Sequence, residues 1–253
     1  MVTVNGPIQQ GVIVSARGEI SSSKQNLYPY MLEETDRVAL PAGHVDQVVR
    51  NLLPRANAGD ARASLALYRK LDECYTAIHK SVSAEEIAIY EAIGAGANFE
   101  EKARAAQQNC TTDGTSDFST RGRWLERAAE GGLLEAKLIY ATDIDAFFPS
   151  ESEMIRDPKG LEDYKRRAVR YISELATQGN VDSMMWLANS YANGTMIEYS
   201  PINSYAYYKA VDFAIPGIIS QEMLFNLRAR LTANEQRHGD ELAISIYEQC
   251  CSR

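Results

Sequence analysis

The chain is poor in the residues that metal sites and nucleophilic active sites require. Its 253 residues include only three histidines and four cysteines. No two cysteines have C-x-x-C spacing and the histidines are scattered, which argues against a zinc site. The sequence also lacks the G-x-S-x-G, H-E-x-x-H, G-x-G-x-x-G and P-loop motifs. We therefore predict no metal, no cofactor and no catalytic residue, and an enzyme is the least favoured functional class.

Positive charge and long apolar runs are scarce as well. Lysine and arginine number 26 against 34 acidic residues, so the formal charge is −8. This balance argues against binding to nucleic acid or to an anionic membrane surface. No apolar run approaches the roughly 20 residues of a membrane-spanning helix. The first residues lack the basic and apolar regions of a signal peptide, as expected of a cytoplasmic protein or of one whose leader has been removed.

The sequence is rich instead in helix-pair signals, most completely between Gly179 and Val211. The first half places small or apolar residues on one helical face: Ser183, Leu187, Ala188 and Tyr191. Asn193-Gly194 is a typical helix end, and Ser200-Pro201 is a typical helix start. The second half repeats the pattern at Ser204, Tyr207, Tyr208 and Val211. We predict two antiparallel helices that cover each other.

The same first-helix pattern recurs twice upstream, after Gly59 and after Gly132. The corresponding residues are Ala63, Leu67, Tyr68 and Leu71, then Ala136, Tyr140, Ala141 and Ile144. An A-x-x-G turn precedes each of the three helices, and Asp117, Asp157 and Ser200 are candidate N-caps of the second helices. Aromatic residues and then small apolar residues follow these caps in register: Trp124, Tyr164 and Tyr207, then Ala128, Ala168 and Val211.

This pattern resembles the Sel1-like repeat, a relative of the tetratricopeptide repeat. The resemblance implies an all-α fold, an α-solenoid of helix pairs, with repeats at about 56–131, 132–178 and 179–216. It also implies a scaffold or adaptor that binds a protein or peptide partner. Such a protein could be a scaffold of envelope processes, or an inhibitor or immunity protein for a toxin. The alternative is a structural subunit that assembles with copies of itself. An adaptor should be a monomer, and the chain is predicted to be a monomer or a weak oligomer.

The first repeat is longer than the others by some 35 residues and should contain an inserted helical hairpin. Ser83 to Glu86 reads as a capping box, and Asn98 can cap a second inserted helix that ends near Asn109. Two antiparallel helices of similar length would bring the end of the hairpin back to its start, so we predict a Cys74–Cys110 disulfide. Cys250 and Cys251 are adjacent and should be free thiols, or one of them should bridge elsewhere. The even cysteine count favours an oxidising compartment, so the protein is predicted to be periplasmic or secreted, with the cytoplasm as the alternative.

The two ends of the chain fall outside the repeats. Residues 1–40 carry turn signals without helical period and are predicted to form an extended arm, partly disordered or lying along the solenoid over an exposed groove. The helical domain then covers 41–253, beginning with a helix from Pro41 to about Ala56. Residues 217–253 should form a two-helix cap, whose last helix begins with the capping box Thr232 to Glu235.

In stacked helix pairs, the first helices line the groove that commonly holds the partner. Residues between the buried positions of these helices should point into it. The predicted partner-binding residues are Arg62, Leu65, Arg69, Glu135, Leu138, Thr142, Asp182, Met185, Asn189 and Asn193. The groove would be mixed in charge.

Overall fold

The computed structural model describes residues 29–79 and 84–251, and within these ranges the protein is all α-helical. One isolated parallel bridge, between Tyr30 and Asn180, adds a short extended contact. The twelve α-helices of the described ranges are α1 Val45–Asn57, α2 Ala61–His79, α3 Ala84–Ala92, α4 Gly96–Asn109, α5 Arg121–Glu130, α6 Leu134–Thr142, α7 Glu151–Arg156, α8 Pro158–Thr177, α9 Val181–Asn193, α10 Pro201–Ala214, α11 Gln221–Ala229 and α12 Ala233–Cys250.

The helices pack mainly on their neighbours in the chain. α1 packs on α2, α2 on α5, and α5 on α6; α8 then lies between α6 and α9, and α10 between α9 and α12. Helices α3 and α4 form the predicted hairpin between α2 and α5, with α4 against α2. The core residues that join these layers are mostly alanine, leucine and tyrosine. Alanine at the contacts permits the helices to approach closely, and tyrosine fills the wider gaps between them.

Three turns of the same geometry introduce α2, α6 and α9. Gly59, Gly132 and Gly179 have φ of 92°, 85° and 90°. Each glycine N–H donates to the carbonyl of the alanine three residues earlier, at 3.0–3.1 Å. A residue with a Cβ is disfavoured at such φ values, so glycine is what allows the chain to reverse so tightly. The predicted A-x-x-G turns are thus present at all three positions.

The predicted buried faces are found in these helices. After Gly59 and Gly132, the core contains Ala63, Leu67, Tyr68, Leu71, Ala136, Tyr140 and Ala141. The helix that follows Gly179 buries Ser183, Leu187 and Ala188. The last position of the pattern is half-buried in two of the three sets, at Ile144 and at Tyr191.

The predicted caps are also present. Asp117 accepts from the N–H of Ser119, in a 3-10 turn that leads into α5. Asp157 and Ser200 accept from the third residue after them, at the starts of α8 and α10. Thr232 and Glu235 form the reciprocal capping box of α12. Each of these bonds satisfies an N–H that the first helical turn leaves without a partner.

The start of the second inserted helix departs from the prediction. Helix α4 begins at Gly96, two residues before the predicted cap Asn98, and its N-cap residue Ala95 makes no side-chain capping bond. Ile89 of α3 and Ile93, which directly follows α3, are 61% and 70% exposed, and the main contact of α3 is with α4. The predicted capping box at Ser83 lies outside the described residues.

The arm is described from Pro29 onward, so its first 28 residues lie outside the described range. Residues 29–40 are extended apart from a 3-10 turn at Glu34–Asp36. They run across α9 and α6 toward α2. The described segment lies along the helices, and the first part of the arm, for which disorder was predicted, lies outside the described residues. The helix predicted from Pro41 begins later, at Val45.

Candidate functional site

The arm and the first helices line an open cavity of about 430 Å³. We call it the arm cavity. Its walls are contributed by α2, α6 and α9 on one side and by the arm on the other. The lining residues are Met31, Leu32, Arg37, Arg69, Glu135, Leu138, Ile139, Thr142, Asp182 and Trp186.

The shared turn geometry explains why these side chains converge. Glu135 and Asp182 both lie three residues after the opening glycine of their helix, so they occupy equivalent positions on α6 and α9. Arg69 and Thr142 both lie ten residues after theirs. Helices that begin with the same turn and pack side by side therefore present equivalent positions to the same space.

Five of the ten predicted partner-binding residues line the arm cavity. They are Arg69, Glu135, Leu138, Thr142 and Asp182. They combine one cation, two carboxylates, one hydroxyl and one apolar side chain, so the cavity is mixed in charge as predicted. An opening of this composition offers hydrogen-bonding groups beside apolar surface.

The other five predicted residues lie elsewhere. Arg62 is exposed outside the cavity lining, and Met185 is half-buried against the core. Asn189 accepts a hydrogen bond of 2.6 Å from the hydroxyl of Tyr208. Asn193 accepts from Thr195 in the turn after α9.

The prediction for Leu65 is corrected by the structure. Leu65 is 0% exposed and belongs to the core, not to a surface groove. Helix α2 packs against α1, α4 and α5, so positions between its predicted buried residues are also covered. A sequence pattern that assumes one buried face cannot identify a helix that is enclosed on several sides.

Ile139 and Trp186 line the cavity but were not predicted. Both lie seven residues after the opening glycine of their helix, Gly132 and Gly179. This common offset is a signal in the sequence that could have identified them. Together with Leu138 they make the floor of the cavity apolar.

Glu135 is the polar centre of the site. It is only 2% exposed, accepts a hydrogen bond of 2.7 Å from the backbone N–H of Val38, and pairs with the guanidinium of Arg69. A buried carboxylate requires such partners, because it has lost its hydration. Glu135 thus ties α6 both to α2 and to the arm.

A second group of polar side chains lies next to the arm cavity. The hydroxyl of Tyr68 donates to Asp143 at 2.5 Å, and the nearly buried Arg121 pairs with Asp72 at 3.3 Å and stacks on Tyr75. Burial, followed by the hydrogen bond to Asp143, raises the pKa of Tyr68. Its hydroxyl therefore stays protonated and serves as a hydrogen-bond donor between α2 and the end of α6.

The structure joins Cys74 to Cys110, the pairing that the sequence predicts. The bond links α2 to the end of α4 and attaches the inserted hairpin to the body. Glu73, Cys74 and Cys110 bring their ligand atoms within 4.8 Å of one another. Both sulfurs belong to the disulfide, so this group lacks the thiolates that a metal ion would need.

The prediction for the last two cysteines is corrected. Cys250 and Cys251 are bonded to each other and are buried, with the Sγ of Cys250 lying 3.8 Å from the Sδ of Met184. Helix α12 ends at Cys250, and Cys251 leaves the helical conformation with φ of −141°. The change of backbone direction at the helix end is what allows neighbouring side chains to meet.

No family model, curated protein or solved structure matches the chain. None of the helices in the described ranges has the length and apolar character needed to cross a membrane.

Proposed function

We propose that this chain is a Sel1-like repeat protein, an α-solenoid that acts as an adaptor by binding a protein or peptide partner on the face formed by α2, α6 and α9. The observation that carries this proposal is the convergence of five predicted partner-binding residues, from three helices, on one cavity. Three turns of equal geometry support the repeat assignment.

The compartment proposed for this activity is the periplasm or the extracellular space. The two disulfides support it, since such bonds persist mainly in oxidising compartments. A partner there would be an envelope protein, or a toxin that this protein inhibits.

Site-specific photo-cross-linking tests the proposed binding face. A photoreactive amino acid at Thr142, which is exposed in the cavity wall, should give a covalent adduct in the native organism. The same amino acid at Lys159, an exposed position in α8 away from the cavity, is the matched control. We expect an adduct from position 142 alone, with the partner identified by mass spectrometry.

Two results would contradict the proposal. An adduct from position 159 with none from position 142 would move the binding surface away from the cavity. An adduct of two copies of this chain, together with an oligomer in sedimentation of the pure protein, would favour a self-assembling subunit.

A further inference from the structure

We infer that residues 29–40 are an autoinhibitory arm, which occupies the binding face as an extended peptide and must leave before a partner binds. The inference rests on the proposed function and adds to it the form of the ligand: an extended segment recognised through its main chain. The occupant of the face in the free protein is then the chain's own arm.

The arm is held to α9 as a short extended strand. The N–H of Tyr30 donates to the carbonyl of Gly179 at 3.0 Å, and the N–H of Val181 donates to the carbonyl of Tyr30 at 2.9 Å. The N–H of Leu32 is 3.4 Å from a carboxylate oxygen of Asp182. The atoms that the arm contributes to these bonds are main-chain atoms, which every extended peptide possesses.

The second attachment is at Val38, where Glu135 accepts the backbone N–H at 2.7 Å. The side chain of Val38 is 6% exposed, whereas its neighbours Arg37 and Ala39 are exposed. Val38 is thus an apolar anchor inserted beside a carboxylate. A competing peptide would need an apolar residue here, with a free N–H.

Between the two attachments the arm is held weakly. Glu33, Glu34 and Asp36 are exposed, and the ion pair of Arg37 with Glu34 lies within the arm and faces solvent. Exposed pairs of this kind contribute little to stability. The arm cavity lies beneath this middle section. Displacing the arm exposes Val38, which packs into the core cluster, but leaves the contacts among the helices in place.

Competition with a tethered arm has a measurable consequence. A segment joined to its own site by a short linker acts at an effective concentration of about the millimolar range. A free peptide with the same sequence therefore binds poorly while the arm is in place. It should bind at least about tenfold more tightly to a full-length chain whose arm has been released.

The experiment uses the full chain and a fluorescent synthetic peptide of residues 29–40. Val38→Asp should release the arm, since it places a second carboxylate beside Glu135. Ala39→Asp adds the same charge at the adjacent exposed position and is the matched control. We expect anisotropy titrations to show binding at least about tenfold tighter to Val38→Asp than to wild type or Ala39→Asp. Amide hydrogen exchange across residues 29–40 and 179–183 should be faster in Val38→Asp alone.

A second release variant provides an independent test in case Val38→Asp does not fold. Leu32→Asp places a carboxylate beside Asp182 at the other attachment and should give the same gain in peptide affinity. A peptide carrying Asp in place of Val38 should bind none of the proteins. Circular dichroism of each variant should match that of wild type.

Three results would overturn the inference: equal peptide binding by wild type and both release variants, binding by none of them, or a wild-type dimer that Val38→Asp dissociates. The last would place the arm in a second copy of the chain. Failure of the proposed function is distinguishable, because position 142 would then give no partner adduct even in a released variant that binds the arm peptide.

Discussion

Ser116 donates a hydrogen bond of 2.6 Å to Asp46, which lies 70 residues earlier in the first turn of α1. Thr112 Oγ1 and the N–H of Asp113 also donate to this carboxylate, both at 2.9 Å. Burial alone would raise the pKa of Asp46, but these hydrogen bonds outweigh that effect and lower it to about 2. The loop before α5 is thus fixed to the start of α1.

Asp46→Asn should destabilise the protein by about 1 to 3 kcal/mol, because the new amide cannot accept from all three donors. The pKa of Asp46 is lower in the folded protein than its ordinary value of 3.8. The stabilisation that the Asp46 carboxylate gives to the folded protein is therefore complete above about pH 4 and is lost as the pH falls toward 2. Urea unfolding between pH 6 and pH 2 should show a smaller loss of stability on acidification in the variant.

The exposed pair of Asp163 with Arg166 provides the control for this prediction. Asp163→Asn should change stability by less than about 1 kcal/mol. Equal stability of Asp46→Asn and Asp163→Asn at pH 6 would show that the loop does not depend on Asp46.

Replacing Cys74 and Cys110 together by alanine should lower the melting temperature. The bond spans 36 residues, for which the chain-entropy model gives a stabilisation of about 3 to 4 kcal/mol. Differential scanning calorimetry measures the effect. Partner binding should persist, because the arm cavity does not include the inserted hairpin.

Peptide mapping under non-reducing conditions provides the direct test of both pairings. The peptide containing Cys74 should be linked to the one containing Cys110. A link from Cys74 to Cys250 or Cys251 would contradict the hairpin as well as the bond.

If the variant that lacks both Cys74 and Cys110 no longer binds the partner, the hairpin itself recognises the partner.

Gly132→Ala should destabilise the protein by about 1 to 2 kcal/mol. Its φ of 85° is costly for a residue with a Cβ, although there is open space around the position. Gly132→Asn is the matched control and should cost less, since asparagine adopts positive φ more readily. Chemical denaturation followed by circular dichroism gives both values, and an alanine variant as stable as wild type would argue against the turn.

Glu135→Ala should destabilise the protein by about 3 to 5 kcal/mol, because it leaves the partly buried guanidinium of Arg69 without its partner. Glu135→Gln retains an acceptor for the N–H of Val38 and should cost less. Amide exchange at Val38 should be faster in the alanine variant than in the glutamine variant. If exchange is the same in both, Glu135 does not hold the arm.

Local signals allowed much of the helical structure to be predicted. The caps at Asp157, Ser200 and Thr232 act within three residues of themselves, so short-range sequence is sufficient to find them. The glycine turns are also local, because positive φ is a property of one residue. The same periodicity located half of the predicted partner-binding residues at the cavity.

Only the tertiary structure decided how the helices and the arm are arranged around one another. Leu65 is buried because α1, α4 and α5 all pack on α2, and helical periodicity states nothing about how many neighbours a helix will have. The position of the arm depends on the hydrogen bond between Val38 and Glu135, which are 97 residues apart. Its donor is a main-chain N–H, which every residue except proline has, so the sequence gives no sign of it. Local sequence determined where the capped helices α8, α10 and α12 begin; long-range packing determined which helix faces meet and what covers them.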